Sequence, residues 1–119
     1  MEKIININGK DIKFIANAAN VFEYRDKFGG DMMTEITRIT QATQSGASLP
    51  EGAIESFSKM AYIMAKEADN SVPDDIKEWL KNFEMFDIIN AMPQLVELWT
   101  ANIKGLSTQK KSGGKSTGK

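Results

Sequence analysis

Ile5-Asn6-Ile7-Asn8-Gly9-Lys10-Asp11-Ile12-Lys13-Phe14 decides how the chain begins to fold. Ile5 and Ile7 alternate with Asn6, and Ile12 and Phe14 alternate with Lys13, which is the period of a half-buried strand. Between the two runs sits Asn8-Gly9, the pair best suited to the positive φ angles of a two-residue turn. Lys3 to Phe14 is therefore predicted as a β-hairpin. A lone hairpin is marginal in water, so its apolar face must pack on later parts of the chain.

Those later parts carry helical spacing. Asn17 is a plausible N-cap for a helix whose face is Ala18, Val21, Phe22, Arg25 and Phe28. Gly29-Gly30 ends it, and Asp31 caps a second helix with Met32, Met33, Ile36 and Ile39 on one face. After the loop Ser45-Gly46-Ala47-Ser48, Pro50 suits the first turn of a third helix bearing Ile54, Phe57, Met60, Ala61, Met64, Ala65 and Ala68. Asp69 to Pro73 breaks the pattern. Asp75 with Glu78 then has capping-box spacing before the stripe Ile76, Trp79, Leu80, Phe83. The last segment, Met85 to about Ile103, is the most apolar, and Pro93 is expected to kink or split it after Asn90 or Ala91. The expected fold is α+β, mainly α: an N-terminal hairpin, then four or five short packed helices.

The folding signal stops at Gly105. Residues 105–119 hold one large apolar side chain, Leu106, four lysines (Lys110, Lys111, Lys115, Lys119) and no acid. Such a segment buries too little apolar surface to offset its ordering entropy, so a disordered Gly/Ser/Lys linker or tail is expected. The expected division is a working domain over 1–104 and a tail over 105–119. One core is normal for 119 residues.

Charge and composition exclude several classes. Net charge is −1, but residues 1–104 carry 11 Lys and Arg against 16 Asp and Glu, a net of −5. An acidic body is a poor polyanion binder, so nucleic acid is not an expected partner. The absence of cysteine and histidine excludes disulfide scaffolds, cysteine nucleophiles, histidine acid/base work and most zinc sites. The start Met1-Glu2-Lys3-Ile4-Ile5-Asn6 lacks the apolar core of a signal peptide, and there is no run of roughly 18 apolar residues. A soluble, intracellular protein without membrane contact is expected.

Several constellations suggest chemistry and fail on it. Gly113-Gly114-Lys115-Ser116-Thr117-Gly118-Lys119 imitates a phosphate loop. The required Ser or Thr after the final lysine is missing, as are a preceding strand and a following helix. Asp69, Asp74, Asp75 and Glu78 lack the glycine-enforced alternation of a calcium loop, and capping by Asp74 and Asp75 accounts for them better. Glu23 and Asp26, three apart, read as solvated acids beside Arg25 and Lys27. No nucleophile–base pair can be assembled, so no catalytic residue, cofactor or metal is expected. Trp79 is expected in the core. Leu95, Leu98, Trp99 and Ile103 continue the apolar surface past Pro93 and are expected to bind a partner. Met32, Met33 and Ile36 are the expected second surface, where flexible methionine side chains tolerate varied partners.

The order and spacing of these features carry a resemblance. The hairpin stretch Ile5-Asn6-Ile7-Asn8-Gly9-Lys10 is followed by Phe22-Glu23-Tyr24-Arg25-Asp26-Lys27-Phe28-Gly29-Gly30-Asp31. Next come Ala61-Tyr62-Ile63-Met64-Ala65-Lys66, then Trp79-Leu80 before Ile88-Ile89-Asn90 and Leu98-Trp99. Over residues 3–104 the chain resembles the tail assembly chaperones of siphophages and prophages of Gram-positive bacteria.

That resemblance implies a non-enzymatic role: binding and solubilising the aggregation-prone tape measure protein and aiding tail tube polymerisation around it. It also implies a host-cytoplasmic protein absent from the mature virion. A longer product made by programmed frameshifting would recruit tail tube protein, and Lys110-Lys111 is where a slippery codon run would lie. A chaperone for a long helical client is expected to present a groove or edge and to self-associate around it. The alternative is a structural tail component, such as a tube or tail completion protein.

Overall fold

In a computed structural model the backbone is described for residues 1–46 and 48–114, and side chains through 101 apart from residue 43. The hairpin forms as predicted: β1 (Glu2–Ile7) pairs antiparallel with β2 (Lys10–Ile15) in the register Ile7↔Lys10, Ile5↔Ile12, Lys3↔Phe14. Asn8 (φ 53°) and Gly9 (φ 82°) both take positive φ, as the mirror-image two-residue turn demands. The Asn6 carboxamide braces it, accepting from the Gly9 N–H at 3.2 Å and donating to Asp11 at 3.0 Å. Because side chains alternate, Ile5, Ile7 and Phe14 are buried on one face while Ile4 stands on the other, largely exposed.

Five helices succeed the hairpin: α1 (Ala19–Phe28), α2 (Met32–Ser45), α3 (Ala53–Ala68), α4 (Ile76–Leu80) and α5 (Met85–Gly114). The expected α+β, mainly helical fold is what the chain adopts. α3 is the centre: β2 and α1 pack on it, α2 and α5 lie against it, and α4 closes one end. Phe57 and Met60 through Ala65 are all buried, so the middle of this helix is enclosed, with Glu55, Lys59 and Lys66 left on its polar side. Its enclosed hydroxyl, on Ser58, is satisfied by donating to the Ile54 carbonyl at 2.8 Å.

Helix ends obey local chemistry. Asn17 and Asn20 form a reciprocal cap: the Asn17 N–H donates to Asn20 Oδ1 at 2.8 Å and the Asn20 N–H to Asn17 Oδ1 at 3.3 Å. Gly29, at φ 75°, ends α1 with its N–H on the Arg25 carbonyl. Asp31 accepts from the Met33 N–H (3.2 Å) and the Thr34 hydroxyl (2.7 Å) to start α2. Asp75 caps α4 through the Lys77 N–H. A chain of edge-on rings, Tyr24–Phe28–Tyr62–Trp79–Phe83, with centroids 5.0 to 6.1 Å apart, ties α1, α3 and α4 together. Trp79 is core, as expected.

The structure departs from the sequence expectations at four places. On α1 the buried residues are Asn20 and Tyr24, whereas Phe22 is 66% exposed. The cap and the ring chain set the rotation of that helix, and a bare count of apolar residues does not see them. Pro50 stands one turn ahead of α3, its carbonyl accepting from the Ala53 N–H while Gly52 at φ 75° opens the helix. Glu78 completes no capping box; it pairs with Lys81 at 2.8 Å instead. Pro93 does not split α5, because it sits on the exposed side and the carbonyl it deprives belongs to Ile89, itself in contact with solvent. Side chains from 102 on, at the expected boundary near Gly105, and the whole of 115–119 with most of the phosphate-like motif, lie outside the described residues.

The rotation of α1 is testable. Tyr24→Ala should cost about 3 kcal/mol or more as a buried aromatic, whereas Phe22→Ala should stay within about 0.5 kcal/mol in urea denaturation. Equal costs would contradict the placement.

Candidate docking groove between α2 and α5

The partner-binding residues expected from sequence mostly lie inside the protein. Leu95, Leu98, Trp99, Met32 and Ile36 are at most 5% exposed. Met33 is half-buried, and the indole N–H of Trp99 donates to its sulfur at 3.3 Å. The side chain of Ile103 lies outside the described residues. The two expected surfaces therefore cover each other, and this is a correction. Ile36 from α2 and Leu95 and Trp99 from α5 meet over Phe57, Met60 and Met64 of α3. An apolar stripe is complementary to another apolar stripe, and within one chain the partner is already at hand.

What remains open is the flank of that contact. A groove of about 310 Å³ runs between α2 and α5, with Thr40 and Gln44 on one wall and Met92, Pro93, Val96 and Thr100 on the other. Glu97 is the charged residue at its rim, 3.5 Å from Lys3 of β1. The Thr40 hydroxyl, shielded in the wall, has no hydrogen-bond partner among the described residues. Helical spacing carries the α5 wall toward its N-terminus through Ile89 and Met85, both exposed, with Phe86 beside them at 69% exposure. α5 thus bears two apolar stripes. Ile88, Ala91, Leu95 and Leu98 face the core, and Met85, Ile89, Met92 and Val96 continue round toward the groove. The signal was present in the sequence as apolarity on more than one side of the helix; which stripe the chain itself would cover was not.

A second, polar cleft of about 460 Å³ lies between α1, α3 and the segment before α4. The acids expected to be simple solvated or capping groups are sorted by it. Asp74 pairs with Lys66 at 2.9 Å, which holds its carboxyl below the ordinary range, and Asp69 accepts from the Ser71 hydroxyl and N–H. Glu23 lines the cleft together with Asp26 and with Glu67 of α3. Among the described residues no group of three acids is placed to hold a metal ion, and no helix is long and apolar enough to cross a membrane.

Comparison with known proteins returns no matching family model, no matching curated protein and no matching solved structure.

Core and groove residues should separate experimentally. Trp99→Ala should destabilise by about 3 to 5 kcal/mol through cavity formation, while Phe86→Ser should change stability by less than about 0.5 kcal/mol. Chemical denaturation monitored by circular dichroism reads both; a benign Trp99→Ala would return Trp99 to the surface.

Proposed function

We propose that this chain is a non-enzymatic tail assembly chaperone that holds an apolar helical segment of a tape measure protein in the groove between α2 and α5. The observation that carries the reading is the second apolar stripe of α5, exposed at Met85 and Ile89 and continuing through half-buried Val96 into the groove. From Met85 to Ala101 that wall is about 24 Å long at 1.5 Å per residue, enough for four turns of a docked helix. Its lining is apolar, with Thr40, Gln44 and Thr100 as neutral polar edges and Glu97 at the rim, which suits shielding a client. The likeness of residues 3–104 to phage tail assembly chaperones supplies the identity of the client. The same likeness implies a host-cytoplasmic protein, tail tube protein as a partner of a longer product, and absence from the finished particle.

Holding requires only that the client lose less by docking than by aggregating. Each buried aliphatic side chain contributes about 1.5 to 3 kcal/mol, so a few residues along the groove suffice for reversible micromolar binding. Co-expression with the tape measure protein tests the reading. Wild-type chain should raise the soluble fraction of the client. Met85→Asp together with Ile89→Asp, both exposed, should abolish that effect while circular dichroism stays native. Equal client solubility with and without the chain overturns the function; full rescue by the double variant overturns the groove.

A further inference from the structure

The sequence holds one asparagine followed by glycine, Asn8 before Gly9. That dipeptide has an intrinsic chemistry. A glycine puts no side chain in the way of its own peptide nitrogen, so the nitrogen can reach the preceding carboxamide carbon and close a cyclic imide. Every other asparagine precedes a residue whose side chain crowds the same approach.

The fold exposes this site and withholds it at the same time. Asn8 is exposed at the tip of the hairpin, and its carboxamide has no hydrogen-bond partner among the described residues. What stands in the way is the backbone. Asn8 lies at φ 53°, in the left-handed region, where ψ is roughly +30 to +60°. For an L residue that ψ sets the next nitrogen nearly opposite Cβ, so the Gly9 nitrogen and the Asn8 side chain leave Cα in opposite directions. The Gly9 N–H is engaged as well, donating to Asn6 Oδ1 at 3.2 Å, while Asn6 donates to Asp11 at 3.0 Å. The nitrogen must lose its proton to attack, and a carboxamide oxygen holds that proton without being basic enough to take it. The register Ile7↔Lys10 leaves Asn8 and Gly9 alone to reverse the chain, so this geometry persists for as long as the hairpin is closed.

We propose that Asn8 is a deamidation site gated by opening of the hairpin. In the opened chain the Gly9 nitrogen bonds to Asn8 Cγ, the bond from Cγ to the side-chain nitrogen breaks, and the Gly9 proton leaves with that nitrogen as ammonia. Water then opens the imide at either carbonyl. Attack at Cγ gives aspartate in an ordinary peptide; attack at the main-chain carbonyl gives isoaspartate, whose backbone runs through the side chain. The isoaspartate form carries an extra main-chain atom in the turn and cannot rebuild Ile7↔Lys10 with the same two residues. Ile5, Ile7 and Phe14 then lose the register that holds them in the core. An opening that reacts is therefore permanent.

Peptide mapping of the full chain tests the gate. Trypsin cleaves after Lys3 and Lys10 and releases peptide 4–10, in which Asn6, followed by Ile7, is the internal control. In mildly alkaline buffer the acid forms at Asn8 should accumulate at least about tenfold more slowly in the native chain than in guanidinium chloride or in free synthetic peptide 4–10, because only the open fraction reacts. Asn6→Ala removes the brace and keeps both reacting residues. It should speed the native reaction about fivefold, as loss of one hydrogen bond shifts the opening equilibrium. Equal rates in the native chain and the free peptide, no acid at Asn8 in guanidinium chloride, or equal native rates in wild type and Asn6→Ala overturn the proposal. The wild-type comparison decides even where Asn6→Ala fails to fold.

Discussion

Helix α3 is buried at every position from Met60 to Ala65, and that enclosure of its middle sets the position of everything else. Neighbours must approach that stretch from every side. β2 and α1 take one flank, α2 and α5 take another, and α4 covers an end. The small side chains Ala61 and Ala65 let these elements come close, while Phe57, Tyr62 and Met64 fill the spaces between them. At about 1.5 to 3 kcal/mol for each large side chain removed from water, this helix alone supplies much of the drive that opposes chain entropy. Single changes along it should therefore be felt across the whole domain.

Enclosure of α3 also explains why a groove exists. α5 must present one apolar stripe to α3 and β1, with Lys3 and Glu97 meeting at the edge of that contact. Its sequence is apolar over a wider arc than one contact can use. α2 reaches α5 through Met33 and Trp99 and then leaves Thr40 and Gln44 standing across a gap. The surplus apolar surface lies where two helices diverge, a shape that accepts a third.

Local chemistry made the hairpin and most helix ends legible in the sequence. Asn8-Gly9 between alternating isoleucines permits few other conformations, and Gly29-Gly30 before Asp31 marks an end and a start by backbone geometry alone. Facing was less legible. Phe22 looks like a core residue and is exposed, because Asn20 and Tyr24 engage the cap and the ring chain and turn α1 away from it. Leu95, Leu98 and Trp99 are apolar at helical spacing, and that pattern states only that they will be covered, not by which partner. Glu23 and Glu67 are far apart in sequence and ordinary in composition. Only the packing of α1 on α3 brings them to one cleft, so no pattern of spacing along the chain could place them together.

The two tryptophans occupy different neighbourhoods of one small core. Trp79 stacks edge-on between Tyr62 and Phe83 at the α3–α4 end, while Trp99 sits beside Met33 where α2 meets α5. Each indole is enclosed by helices that the other does not touch directly, apart from the shared α3. The chain therefore carries two built-in optical probes. Emission from Trp79 tracks the ring chain that anchors α1, and emission from Trp99 tracks the helix pair that frames the groove. A protein with a single tryptophan would report only whether it is folded; this one can report which side opens first.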